Sequence, residues 1–390
     1  MTGCRGSRPP AGAAAEFETL STAPENVFAN GMMKRVFPRV VDQVRALVNR
    51  DDRAGESLAG LRDSFLHDDP IPKPSSTHTM VPLYAWRGAM ELIGGSWFDS
   101  PSYIGEALFY HLLLDAFGYF DYLSSNYERD PFLARKTNAL LAAVGVVTRG
   151  RASTLSLRES LMASLWGNLS DAAHAQFRGD GSAPGSGVLL VDDLDPARVR
   201  LEQSDSVGIV ADNAGAELLA DVILAAHLLR SRENTTVTVY LKQRPFFISD
   251  ATANDFETTV SALINADHEL SMLRRCVEEG RLRIVTHWFF QSPLHYCQMP
   301  PDLAEGIGSN DVTIVKGDLN YRRLLADRVT PATYPLEQLL PDLKTDLLIL
   351  RTMKSDICAG LPRESVSELD ATERDWRFSG RYAVAHFVVE

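Results

Sequence analysis

The chain has 390 residues, 45% of them hydrophobic and 23% charged, with a formal net charge of -12. That length holds two domains and a substantial core, and the composition excludes a disordered or fibrous chain. An acidic chain with no Lys/Arg cluster is a poor match for nucleic acid or an anionic membrane, so neither partner is expected.

Residues 1–20, "MTGCRGSRPPAGAAAEFETL", carry Arg, Pro and Gly where a signal peptide needs an apolar core, and read as a disordered tail. No segment has the length and apolarity of a membrane span. Cys4, Cys276, Cys297 and Cys358 are scattered and form no C-x-x-C pair, which argues against a disulfide framework or a zinc ribbon. A soluble, cytoplasmic protein is expected. Residues 21–180 read as a mostly helical domain: "MKRVFPRVVDQVRALVNR" and "YIGEALFYHLLLDAF" space their apolar residues three and four apart. "FRGDGSAPGSG", 177–187, is a turn-rich break. Residues 181–390 then show short β-branched runs, "GVLLVDD", "SVGIVADN", "TVTVYLKQ", "LRIVTHW", "DVTIVKGD" and "DLLILRTMK". Most are separated by segments long enough for a helix. This predicts an α/β domain with a largely parallel sheet.

Polar groups follow each run: Asp192 and Asp193, Asp212 and Asn213, Lys242, His287, Asp318, then Arg351 and Lys354. In open α/β sheets ligands bind beyond the carboxyl ends of the strands, so these groups are candidates for one crevice. Asp212 and Asn213 stand where a strand hands over to a helix, and either cap that helix or hold a ligand; capping is the commoner role. Asp212, Asn213 and Asp318 offer hard oxygen ligands suited to Mg²⁺ or Mn²⁺. Arg351, Lys354 and Lys242 supply cations, and the helix start after Gly215 adds a partial positive charge. One metal beside clustered cations describes a phosphate-ester site. There is no G-x-x-x-x-G-K-[ST] and no G-x-S-x-G, so neither a P-loop enzyme nor a serine hydrolase is indicated. His227 reads as a core or boundary residue, and His287 and His295 flank a strand end without a partner to make either a ligand.

The blocks "DNAGAELLADVILAAHLL", "KGDLNYRRL" and "LRTMKSDICAGL" resemble those of the damage-control phosphatases, the domain-of-unknown-function-89 family, in its R-T-x-K branch. "SWFDSP", "RDPFLARK", "SLWGN" and "LKQRPFFISDATANDF" are weaker echoes. The resemblance implies a helical N-terminal domain on a Rossmann-like α/β/α domain. It further implies one divalent metal ion (Mn, Mg, Co or Ni) and hydrolysis of a small phosphorylated metabolite, of the fructose 1-phosphate or fructose 6-phosphate type. By motif, Asp212, Asn213 and Asp318 would hold the metal and carry catalysis. Arg351, Thr352, Met353, Lys354 and Ser355 would cradle the phosphate, and Arg381 stands where the family tends to place a substrate-contacting Lys. From position alone, Lys242 follows a strand directly and is a further candidate at the phosphate, while Glu217 and Asp250 either support the metal ligands or serve as surface or capping residues.

Four departures stand out. "GEALFYHLLL" lacks the branch's Tyr-Arg-Arg cations, "SLWGNLSDAA" keeps only Trp-Gly-Asn, Tyr240 stands where His is common, and Arg381 where Lys is usual. They leave open a specialised phosphorylated substrate or another reaction in a secondary pathway. A lower alternative is an S-adenosylmethionine-dependent carboxyl methyltransferase, an activity attributed to a relative of the branch. No glycine-rich strand-to-helix loop supports it.

Overall fold

Alternation of buried residues along each strand sets the architecture. Val207, Ile209, Val237, Val239, Val312, Ile314, Leu348 and Leu350 pack into one core cluster, while Val210, Tyr240, Val315, Leu347 and Ile349 pack into another. Such period-two sorting means a sheet covered on both faces. The computed structural model describes residues 17–49, 52–67, 69–72, 81–93, 95–150, 152–167 and 187–390. Its sheet has seven strands in the order β1-β7-β6-β5-β2-β3-β4. They are β1 Val188–Asp192, β2 Ser206–Val210, β3 Thr236–Leu241, β4 Leu282–Thr286, β5 Val312–Lys316, β6 Asp346–Thr352 and β7 Tyr382–Val388. The protein is therefore α/β with a mostly parallel sheet, as the β-branched runs predict.

The seventh strand was not among the predicted runs, and it changes one expectation. β7 lies antiparallel to β6 and parallel to β1, so β1 runs against the other five strands. Asp192 and Asp193, at the end of β1, therefore sit at the opposite edge from Asp212 and Asp318. Asp192 pairs there with Arg158.

Helices before β1 form a third cluster, in which Phe37, Phe65, Trp97 and Phe109 stack and abut. The Ser102–Phe117 helix is buried along most of its length. Residues 17–20, expected as part of the tail, are instead held against the body: Thr19 bridges Arg328 and Leu20 is 2% exposed. Residues 1–16, Asn168 and the 177–186 part of the turn-rich break lie outside the described residues. No helix among the described residues is long and apolar enough to cross a membrane.

Candidate active site

Strand order reverses between β2 and β5: from β2 the chain proceeds to β3 on one side, and from β5 to β6 on the other. A crevice opens at such a switch point. Asp212 follows β2 by two residues and Asp318 follows β5 by two, and Val210 and Val315 are direct neighbours in the sheet. Both acids line one cavity of about 300 Å³, together with Asn213, Glu217, Asp250, Thr352 and Lys354.

Neither acid caps a helix. The Ala216–Ser231 helix is capped by Gly215, and the Gly317–Leu324 helix by Lys316, in both cases without a side-chain hydrogen bond. Asn213 instead donates from Nδ2 to Asp212 Oδ2 (2.8 Å) and Glu217 Oε2 (3.0 Å), while its Oδ1 accepts from Ser249 Oγ. Asp318 gathers its bonds on Oδ1: Arg351 Nε at 2.7 Å, the Lys354 N–H at 3.1 Å and Ser355 Oγ at 3.1 Å. Burial raises the pKa of Asp318, but Arg351, Arg322 and the Lys354 N–H outweigh it and hold the carboxyl below its usual value. Asp212 moves the other way. Burial pushes it up to about 7, with Glu217 and Asp250 adding to the rise and Lys242 and Lys354 opposing it.

The donor set fits a hard divalent cation. Asp212 is left short of positive charge by the protein's own lysines, Asp250 Oδ2 is buried without a hydrogen-bond partner, and the bonds recorded for Asp318 leave Oδ2 for a ligand. A half-turn of the Asn213 amide would bring its oxygen beside Asp212 and hand Nδ2 to the Ser249 hydroxyl, which can accept. Among the described residues no three His, Cys, Asp or Glu side chains form a metal cluster, so a metal here must include the amide oxygen or water. Gly317 keeps the space open: at φ +83°, a Cβ would meet Asp212 Oδ2 at 2.0 Å.

Of the cations expected at the phosphate, Lys354 reaches the cavity, as does Thr352. The others do different work. Arg351 is 1% exposed, ion-paired to Asp318 and stacked 4.0 Å over the Tyr321 ring, so it fixes a carboxylate rather than lining the cavity. Ser355 accepts from Arg351 and donates to Asp318. Met353 packs with Trp376 and Tyr382. Lys242 donates to the Asp212 carbonyl (3.1 Å) and lies 3.7 Å from its carboxylate and 3.6 Å from that of Asp250. Arg381 faces solvent and pairs with Glu373. Glu217 and Asp250 are buried at the cavity, where they were expected.

Lys316 was not foreseen. It is buried at the end of β5 and donates to Ser164 O (2.7 Å), Asp221 (2.8 Å) and Glu217 (3.2 Å), tying the Leu157–Trp166 helix to the site. A lysine closing an otherwise β-branched strand is the signal that could have found it. Gly167 allows that helix to come close, since a Cβ there would stand 2.7 Å from the Glu217 backbone. His287, His295 and His227 do not line the cavity. Its outer end is instead walled by Phe28, Met32, Tyr110, Phe247, Ile248 and Leu319, with the Glu106–Arg322 ion pair beside them.

The sequence profile of the damage-control phosphatase ARMT1-like domain matches residues 32–369. The chain belongs to this family. A damage-control phosphatase ARMT1 from Danio rerio is 28% identical over 389 residues, covering 86% of each chain. The Homo sapiens protein of that name is 32% identical over 58% of this chain and 57% of its own, and the Xenopus laevis one 36% identical over 46% and 42%. A DUF89 protein of known structure from Pyrococcus horikoshii superposes with a TM-score of 0.52 at 16% identity, over 86% of this chain and 92% of that one, which is a likeness of fold alone. Family membership makes a phosphatase acting in metabolite repair the coarse functional reading of the cavity.

Proposed function

We propose that the cavity hydrolyses a small phosphomonoester with the help of one divalent metal ion held by Asp212, Asn213 and Asp318. The observation that carries this reading is the meeting of those three side chains with Lys354 at the β2/β5 switch point. Bound there, the metal would supply Lewis acidity and a more nucleophilic water. The chain's own residues account for the rest. Lys354 offers a charge to the phosphoryl oxygens. Arg351 and Ser355 lock Asp318 through Oδ1, and Lys242 stands behind both Asp212 and Asp250. Sugar phosphates of the fructose 1-phosphate or 6-phosphate type are the first substrates to try, on the strength of the family resemblance.

A second reading, a specialised phosphoester with a less polar organic part, is favoured by the aromatic outer wall of Phe28, Tyr110 and Phe247. One assay addresses both: phosphate release from sugar, nucleoside and aryl phosphates, with Mg²⁺, Mn²⁺, Co²⁺ and Ni²⁺ supplied separately and Asp212→Ala as control. Turnover that requires metal and Asp212 supports the phosphatase, and the ranking of esters chooses between the readings. Metal binding without turnover of any ester would refute both.

A further inference from the structure

The loop after β3 carries a cation that the cavity does not use. Arg244 is 2% exposed, and none of its three guanidinium nitrogens has a hydrogen-bond partner among the described residues. Its Cζ lies 4.7 Å from the centroid of the Phe120 ring. The same ring is 5.3 Å from that of His111, which stands 4.6 Å from Trp86. His111 is fully buried, and among the described residues neither of its ring nitrogens nor the buried Trp86 indole N–H has a partner. Three side chains on two helices and a loop thus bring unmet nitrogens, mostly donors, to one aromatic cluster.

Nothing among the described residues balances the charge. Arg244 makes no ion pair with any of them, and the titratable groups that feel its charge are the Tyr119 phenol and the His111 imidazole, neither an anion. A guanidinium does not shed its proton in a protein. The face of Phe120 offsets part of the cost of burial, and a water molecule would satisfy hydrogen bonds without adding charge. A buried, unpaired ion with unsatisfied donors is among the least favourable things a core can hold. What closes this arrangement is an acceptor that is also an anion.

We infer that Arg244, His111 and Trp86 form a buried site for a small monovalent anion of chloride size. The size limit follows from burial: all three side chains are at most 3% exposed and the rings between them pack at 4.6 and 5.3 Å, so nothing larger than a single small ion could be held there. The site has a structural consequence. Arg244 precedes Phe247 by three residues and His111 follows Tyr110, and Phe247 and Tyr110 meet at 4.4 Å in the outer wall of the cavity. The anion would fasten the Ser102–Phe117 helix to the loop after β3 directly behind that wall.

The test is thermal unfolding of the full chain at constant ionic strength, with chloride replacing methanesulfonate, alongside crystals grown in bromide. The expected result is a rise in Tm of about 2 °C per tenfold increase in chloride once the site is saturating. Arg244→Met should lose that dependence, and an anomalous bromide peak should stand beside the guanidinium of the unaltered protein. Should Arg244→Met fail to fold, His111→Phe and the bromide peak still decide. Equal Tm in the two salts with no bromide peak overturns the proposal, as does a chloride dependence that survives Arg244→Met.

Discussion

The two ends of the cavity are built by opposite means. At the inner end Asp212, Asp318, Glu217 and Lys316 are each held by polar partners, nearly all supplied by strand termini and the first turns of the helices that follow. At the outer end Phe28 and Met32, one turn apart in a single helical stretch, meet Tyr110 and Phe247 from two others and are placed by packing, with the Glu106–Arg322 pair as the polar exception. Polar contacts demand a residue type at a fixed position, whereas packing asks only for volume and shape. The inner end should therefore tolerate almost nothing, and the outer end should trade substrates.

The largest effect is expected at the inner end. Asp212→Asn or Asp318→Asn should lower metal-dependent phosphate release by about 10³-fold or more while leaving the fold intact, and a chelator should do the same to the unaltered protein until metal is restored. A loss of less than tenfold in either variant would break the comparison, because the inner end would then be as permissive as the outer.

Next comes a stability effect that arises outside both ends of the cavity. His111 on the helical side and His386 on β7 are buried, and burial lowers their pKa values to about 3 and about 4. The unfolded chain, with histidines near pKa 6.5, takes up protons that the folded protein refuses. Stability is thus complete above about pH 6.5 and falls as the pH drops toward 4, by on the order of 3 kcal/mol for each histidine. Urea titrations across that range, in chloride-free methanesulfonate so that no bound anion offsets the His111 charge, should show the decline. His111→Phe should remove the helical share of it, and an unchanged slope in that variant would refute the assignment.

Arg351 divides two roles by their kinetic signature. Because it grips Asp318 Oδ1 and lies outside the cavity lining, Arg351→Lys should weaken metal affinity and kcat by about 10- to 100-fold with little change in KM. A selective rise in KM would instead return Arg351 to the phosphate.

What the sequence made legible follows the same division. Six strands and the Asp212–Asn213 and Asp318 positions stand out because a β-branched run ending in a polar group is a local pattern. β7 did not: although the Arg363–Thr372 helix precedes it, "YAVAHFVV" mixes Ala and His into its run and pairs antiparallel, and with it went the orientation of β1. The inward turn of Arg351 was hidden for a related reason. A side chain at a strand end faces either the ligand or a neighbouring carboxylate, and only the register of β5 against β6 puts Asp318 within its reach. The outer wall left little linear trace, because its segments, Phe28 and Met32, Tyr110, and Phe247 with Ile248, meet only when the chain packs.

The outer end should respond by changing preference rather than rate. Phe247→Ala removes a ring that meets Tyr110 at 4.4 Å, and should alter the ratio of kcat/KM between aryl and sugar phosphates by about tenfold, with kcat for the better substrate nearly constant. A uniform loss on every ester would mean that the wall supports the chemistry directly.

The smallest effect comes from a pair of cations. Lys354 and Arg381 lie near the same end of β6, since Thr352 pairs with Ala383 across the β6/β7 ladder. Lys354 lines the cavity. Arg381 is turned away, its side chain 53% exposed and paired to Glu373, which also accepts from the Tyr382 hydroxyl at 2.6 Å. An exposed pair of this kind contributes little, and to reach a phosphate Arg381 would have to abandon it. Arg381→Ala should therefore change kcat/KM by less than about twofold, against a loss of about 10²-fold for Lys354→Ala. If instead Arg381→Ala raises KM tenfold, the substrate draws the arginine off Glu373 as it binds, and the far end of the ligand is read by charge after all.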